Sequence, residues 1–342
     1  MPGGKTMKEL TIAVVGATGA VGQEILKVMA ERKIPYKELR LLASARSAGT
    51  QIEYQGKTYT VQETTENSFD DVDLALFAGG PASRAFGRLA QSKGCVVIDN
   101  SSTFRLEPDV PLVVPEGNPE ALKEHKGLIA NPNCSTILLV SALYPLYKKS
   151  KVKRVIVSTY QAVSGAGKEA IDELTLQVQQ TLNGEAIEPH VFQHQIAFNL
   201  IPHIDVWMED DYTKEEMKLV YETQKILSDN NISITPTAVR VPVYRSHSES
   251  VYVETEETIT PDEARALMEA EPGIIVQDDP HNNVYPMPLF TSDTDEVYVG
   301  RIRRDLGCDK ALNMWIAFDQ LRKGAATNAV QIAEELLRQN LL

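Results

Sequence analysis

Cysteine is scarce in this chain: Cys95, Cys134 and Cys308 are the only three among 342 residues. They are too few and too scattered for a disulfide framework or a zinc site, so no metal is expected and a reducing cytoplasm fits best. Long apolar runs are missing too. No stretch approaches the ~18 apolar residues that a membrane span needs, and residues 1–10 are short, polar and without an apolar signal core. Positive charge is in deficit, with 34 Lys and Arg against 47 Asp and Glu and a net charge of −13. Such a surface repels phosphate backbones, and no Lys/Arg cluster offsets it locally. This argues against nucleic acid as a partner but leaves room for a small basic pocket that takes a phosphorylated metabolite. The sequence shows no internal repeat, low-complexity tract or flexible linker.

What remains is the composition of an ordinary globular protein, 43% hydrophobic and 24% charged, long enough for two domains at roughly 100–200 residues each. The first third alternates short apolar runs with helical patterns. Leu10–Val15, 39–43, 74–78 and 96–98 read as buried strands, with helices at 21–32 and 83–93. That rhythm implies a parallel sheet covered on both faces. After Cys134 it changes to a strand at 154–160, then a long helical and polar stretch over 168–230. Strands then crowd together at 237–244, 250–256, 296–303 and 312–318. A second domain of α+β type with a mixed or antiparallel sheet follows from this pattern. The segment 325–341 is an amphipathic helix with Ile332, Leu336 and Leu337 on one side. The expected domains are 1–133, joined by the closing helix 324–342, and 134–323.

The segment LTIAVVGATGAVG sets Gly16, Gly19 and Gly22 directly after a strand and at the start of a helix. Glycines there permit a tight turn, close approach of the backbone to a pyrophosphate, and close helix–strand packing. The helix N-terminus adds free N–H groups and a partial positive charge. A glycine-rich turn alone would be a weak signal, but the strand–turn–helix context makes it a dinucleotide site. At the end of the second strand an NAD site would carry a carboxylate for the ribose 2′-hydroxyl. The chain reads LLASARSAG instead, with Ser44, Arg46 and Ser47 and no acid before Glu53. A guanidinium flanked by hydroxyls suits a 2′-phosphate, so NADP is the expected cofactor.

Cys134 lies in ANPNCSTILLV, near the first turn of a helical run, among Asn133, Ser135 and Thr136. Helix dipole and free N–H groups favour a thiolate there. Cys95, inside the apolar CVVID, reads as an inert buried residue, and Cys308 as a turn residue. A thiolate beside a nicotinamide suggests hydride exchange with a thioester, which needs a proton-handling group and donors for the oxyanion. Among six histidines, His247 is the best-placed candidate base, in a polar turn just after a strand and beside Arg240 and Arg245. Its surroundings alone do not separate a catalytic group from an ordinary turn histidine.

Five motifs in order make the chain resemble aspartate-semialdehyde dehydrogenases over essentially its whole length. They are GATGAVG from Gly16, NPNCST around Cys134, YQAVSGAGK from Tyr160, ExxK at Glu222–Lys225, and RVPVYRSHSES from Arg240. The resemblance implies Cys134 as acyl-enzyme nucleophile, His247 as acid/base, and Gln161 as the residue that orients substrate. It implies Arg240 on the substrate carboxylate, Glu222 on its amino group, and Arg105, Lys225 and Asn133 on phosphate. Thr18, Gly19, Ala20, Val21, Arg46, Ser47, Ser164, Gly165 and Asn328 would line the cofactor site. It also implies reduction of aspartyl phosphate with NADPH, toward lysine, methionine and threonine, by a homodimer or a dimer of dimers. For Glu222 and Lys225 the residues alone favour a solvated surface pair. Two rival readings are an N-acetyl-glutamyl-phosphate reductase and a non-catalytic NADP-binding paralogue. The first family has a glycine where this chain has Asn133, and the second should lack the nucleophile or the base.

Overall fold

The computed structural model describes residues 10–342; the polar N-terminal segment lies outside the described residues up to Glu9. The chain separates into two compact units, one comprising residues up to Asn133 with Ala325–Leu342, the other Cys134–Gly324.

The first unit begins with β1 (Leu10–Val15), α1 (Ala20–Glu31) and β2 (Tyr36–Ala43). A hairpin of β3 (Gln51–Tyr54) and β4 (Lys57–Thr60) follows, then β5 (Gln62–Glu63), β6 (Leu74–Phe77), α2 (Gly80–Ser92), β7 (Val96–Asp99) and β8 (Leu128–Ala130). Six strands form a parallel sheet in the order β5-β2-β1-β6-β7-β8. Every residue of β1 and β6 is buried, which is why both read as continuous apolar runs rather than alternating ones. The connections from β1 go to β2 on one side and, later in the chain, to β6 on the other. The carboxyl end of β1 is therefore the switch point where ligands of such sheets bind. The hairpin turn at Gln55 and Gly56 has positive φ at both residues, 49° and 75°. This is the hairpin-turn geometry, and it went unread because glutamine does not advertise it.

The second unit holds α3 (Cys134–Lys149), β9 (Val152–Gln161), α4 (Lys168–Asn183), α5 (Lys214–Leu227), β10 (Ser233–Arg240) and β11 (His247–Thr255). It continues with α6 (Pro261–Glu269), β12 (Ile274–Val276), α7 (Pro288–Thr291), β13 (Val297–Arg304) and β14 (Ala311–Phe318). Its mixed sheet runs β10-β9-β11-β14-β13-β12, with β10–β9 and β12–β13 parallel and the other pairs antiparallel. Burial alternates along β9, with Val155, Val157, Thr159 and Gln161 inward and Ile156 40% exposed. The period of two marks a sheet with one covered face.

Two sequence expectations, both strand ends, are corrected in this unit. The helical and polar stretch 168–230 resolves into two helices separated by an irregular strap. Side chains of α4 order that strap: Glu173 accepts the amides of His190 and Val191, and Gln177 those of Ile196 and Ala197. β10 stops at Arg240 rather than running on to 244, because Pro242 has no N–H to give a ladder. β11 starts at His247 rather than 250, so His247 opens a central strand instead of occupying a turn.

After β14 a π-helical turn, Arg322–Ala326, leads to α8 (Thr327–Gln339). α8 belongs to the first unit, where Ile332, Ala333 and Leu336 join the β1–α1 core, and Glu334 pairs with Arg32, the residue just after α1, at 2.6 Å.

Candidate active site

In the first unit the glycine loop folds as a phosphate cradle should. Gly16 has φ 85°, and both Gly16 and Ala17 donate to the Leu42 carbonyl at the end of β2, at 2.8 and 3.1 Å. α1 begins at Ala20 after Gly19, and a Cβ on Gly22 would run into the Gly16 carbonyl oxygen. The amides of Ala20, Val21 and Gly22 thus stand at a helix start with no carbonyl four residues back inside the helix. Thr18 is half-buried beside them, and Ser44 and Arg46 are exposed at the end of β2, with Ser47 half-buried. These residues fit a dinucleotide pyrophosphate and a charged group on its ribose.

The NPNC loop is braced from the same unit. Asn131 donates to the Asn100 side chain at 2.9 Å and accepts from Asn328 at 2.6 Å. Arg105 is buried, its Nε donating to the Asn131 carbonyl at 2.9 Å and its Nη2 to that of Asn100 at 2.8 Å. Asn133 is buried as well. Asn328, expected at the cofactor, is fully buried and gives its amide protons to Asn131 and the Val113 carbonyl.

In the second unit Cys134 is the first residue of α3, partly exposed, with Gly324 packed so that a Cβ there would lie 3.0 Å from its own Cβ. The parallel pairing of β9 and β10 sets Gln161 opposite Arg240, and β11 brings His247 to the same end. The backbone of Ala162 joins them: its carbonyl accepts Arg240 Nη1 at 2.7 Å, and its N–H donates to His247 Nδ1 at 3.1 Å. Gly165 packs on both side chains, since a Cβ there would meet Arg240 Nη1 at 3.0 Å and His247 Nε2 at 3.3 Å. Ser164 accepts from Gln320, whose carbonyl oxygen accepts the Ser246 amide.

Charge is concentrated here. Burial lowers the Arg240 pKa, while Glu215 and a thiolate at Cys134 both favour its charged form. Burial first and the Arg240 charge second push His247 down to about 3, with Glu215 pulling the other way. Gln161 donates to Glu215 Oε1 at 3.2 Å, and Glu215 Oε2 pairs with Lys218 at 2.8 Å. Burial opposes the Lys218 charge, but Glu215 and Asp205 outweigh it and raise the pKa.

The ExxK pair that meets Gln161 is Glu215 and Lys218, while Glu222 and Lys225, the pair expected to serve the substrate, lie further along α5. The ExxK spacing occurs twice on α5, and the second copy lies seven residues on, about 10 Å farther along the axis. The copy beside Gln161 sits in the first turns of α5, which starts where Thr213 and Glu216 form a capping box. That box was legible in the sequence as the start of the helix. Gln320 was missed without any signal, because its importance arises only from tertiary hydrogen bonds.

Comparisons with known proteins give the family. A family model described as the semialdehyde dehydrogenase NAD binding domain matches residues 11–125, and one described as the dimerisation domain matches 143–323. The aspartate-semialdehyde dehydrogenase of Aquifex aeolicus is 54% identical over 336 residues, 97% of this chain and 99% of that protein. That of Campylobacter jejuni is 52% identical over 337 residues, 96% and 98% of the two chains. A crystal structure of aspartate semialdehyde dehydrogenase II complexed with ASA, from Vibrio cholerae, matches with TM-score 0.94 at 47% identity, covering 97% of this chain and 99% of that one. The chain belongs to the aspartate-semialdehyde dehydrogenase family of oxidoreductases.

Proposed function

We propose that the enzyme reduces aspartyl phosphate to aspartate semialdehyde with NADPH and releases phosphate, through a thioester on Cys134. The observation that carries this reading is the cluster at one end of the second unit's sheet. There a partly exposed cysteine at a helix start shares its surroundings with a buried arginine, histidine and carboxylate.

Cys134 Sγ attacks the acyl carbon and phosphate leaves. Arg240 suits the α-carboxylate, because its guanidinium is fixed by the Ala162 carbonyl with donors left over. Glu215 suits the α-ammonium, and Lys218 is the second unit's candidate cation for phosphate. Arg105 and Asn133 are the first unit's candidates. Gln161, held by Thr159 and Glu215, orients the acyl group, and His247 serves the substrate oxygen. NADPH, when bound, supplies hydride. The loop from Gly16 to Gly22 suits its pyrophosphate, and Arg46 with Ser44 and Ser47 its 2′-phosphate. Ser164 and Gly165 remain candidates for the second unit's share of the cofactor site. Asn328 acts as a brace for the NPNC loop.

A buried acid beside the substrate also separates this reading from an N-acetyl-glutamyl-phosphate reductase, whose substrate has no ammonium to offset it. The dimerisation domain that matches 143–323 supports a homodimer, and a tetramer would be a dimer of dimers. Among the described residues no helix is long and apolar enough to cross a membrane, and a cytoplasmic biosynthetic role completes the proposal. Assay of NADPH oxidation with aspartyl phosphate and with N-acetyl-glutamyl phosphate tests it. Turnover of the first alone is expected, and preference for the second, or no turnover of either, would overturn it.

A further inference from the structure

Ser246 stands directly before His247, and its backbone is out of the ordinary. Its φ is 73°, in the left-handed region that residues with a side chain seldom enter. It is also fully buried, so a loose surface turn does not account for it. The chain on either side shows why the bend falls here. Upstream, the carbonyls of Val243 and Tyr244 accept the amides of Val163 and Ser164 at 2.9 and 3.3 Å, which ties the segment leaving β10 to the one leaving β9. Downstream, His247 is paired with Phe318 of β14, and Ser248 with Tyr160 of β9. Both runs are fixed, and the change of direction between them is left to Arg245 and Ser246.

That turn is held from three sides. The Ser246 N–H donates to Gln320 Oε1 at 2.8 Å. Its hydroxyl lies 2.9 Å from Ser292 Oγ, and Ser292 gives its own proton to the Pro288 carbonyl, so Ser246 is the donor. Arg245 Nε donates to Asp319 Oδ2 at 2.5 Å, and its Nη1 pairs with Asp293 at 3.0 Å. Asp319 is fully buried and accepts the amides of Asp293, Leu321 and Arg322 as well, at 2.7, 2.9 and 3.2 Å. A left-handed serine persists only where its surroundings over-determine it, and such strain gathers at functional sites.

We propose that Ser246 is a positioning residue for the reaction: its left-handed backbone, locked by Gln320, Ser292 and the Arg245–Asp319 pair, sets where the His247 ring stands beside Arg240 and Ala162. The inference rests on the thioester reading above, in which His247 acts at the substrate oxygen. A negative φ at Ser246 would swing the peptide that enters β11. The imidazole would then leave Gly165 and the Ala162 N–H, which lies 3.1 Å from Nδ1. Arg240 and Glu215, which suit the substrate's carboxylate and ammonium, stand on β10 and α5 and would keep their places. Misplacing the histidine alone therefore slows turnover and leaves substrate affinity nearly intact.

The test compares Ser246→Gly with Ser246→Ala, each assayed well below its Tm. Both lose the bond to Ser292, but only glycine enters the left-handed region without penalty. For an L residue that penalty shifts a two-state balance about 5–30-fold. Ala is expected to lose about that factor in kcat relative to Gly, with KM for aspartate semialdehyde within about threefold of wild type in both. Equal kcat in the two variants, a lower kcat in Gly, or a loss that falls on KM would overturn the inference. A residue that only stabilises the fold would lower the Tm of Ala and leave the two kcat values equal. Should Ala fail to fold, Ser292→Ala takes its place, because it removes the same hydrogen bond and leaves the strained serine behind. It should then fall below Ser246→Gly in kcat, and a value as high as that of Gly would overturn the inference. The imidazole signals of histidine-labelled protein need no substrate. Those of His247 should match wild type in Gly and move in Ala, and a match in both overturns the inference. A wild type inactive on aspartate semialdehyde would thus sink the functional reading while leaving the placement of His247 readable.

Discussion

Glu215 and Glu222 give the sharpest contrast at the scale of single residues. Both are buried acids followed three residues later by lysine, but the hydrogen bond to Gln161 belongs to Glu215. Removing one partner of a buried charge pair costs about 3–5 kcal/mol. Glu215→Gln should therefore lower kcat/KM for aspartate semialdehyde by at least about 100-fold, with a much smaller penalty for an analogue lacking the amino group. Glu222→Gln should slow both substrates alike, and the reverse ranking in a two-substrate assay would return the role to Glu222. Arg46 provides a second residue-scale test. Losing a charge-assisted contact to the 2′-phosphate should weaken NADPH roughly 10–150-fold in Arg46→Ala. NADH binding should hardly change, and equal weakening would make Arg46 a loop support.

The sequence was informative at this scale where chemistry and chain geometry coincide, as at Cys134 with its helix start or Gly22 with its lack of room for a Cβ. It left two copies to choose between where a motif repeats on one helix face. It was silent where a role depends on partners distant in sequence, as for Gln320, which joins Ser164 to Ser246.

Among the elements, α5 shows how a cap can reach the site. Glu216 accepts the Thr213 amide and also that of Ala238 on β10, so the same carboxylate starts the helix and fastens it to the sheet that carries Arg240. Thr213→Ala should cost about 1 kcal/mol of stability and raise KM more than it lowers kcat, because it loosens the turn holding Glu215. A loss in kcat alone would show that the cap does not position the substrate groups. Strand ends were the least legible features. Pro242 explains where β10 stops, but the start of β11 at His247 comes from its pairing with Phe318 of β14, a contact no local pattern announces. α6 was overlooked although Thr260, Pro261 and Glu263 form a capping box with proline in the first turn.

Across the whole molecule, two buried groups should shape stability against pH in opposite directions. Burial raises Glu249 well above the usual carboxylate range, and neither of its oxygens has a hydrogen-bond partner among the described residues. Its contribution is fully present below the unfolded pKa and is lost as pH rises toward the folded one. His247 is depressed to about 3, so its contribution is present above the unfolded value of about 6.5 and is lost as pH falls. Glu249→Gln should raise Tm more at about pH 8 than at about pH 5. An equal shift at both values would mean that the carboxyl is ionised in the fold.

The two-part plan was legible in outline, since the alternating first third and the strand-rich remainder correspond to the parallel and the mixed sheet. The ordered strap between α4 and α5 was not, because it is held by Glu173 and Gln177 side chains rather than by a repeating pattern.

The central claim, a covalent acyl group carried by Cys134, is tested most directly by mass spectrometry. The protein is mixed with aspartyl phosphate without NADPH, quenched in acid and digested. One aspartyl adduct is expected on the Cys134 peptide, absent in Cys134→Ala and discharged as aldehyde when NADPH is added. Cys95, buried and pushed up to about 12, should stay unmodified. Aldehyde formation with NADPH in the Cys134→Ala protein, or an adduct on any other residue, would contradict the account.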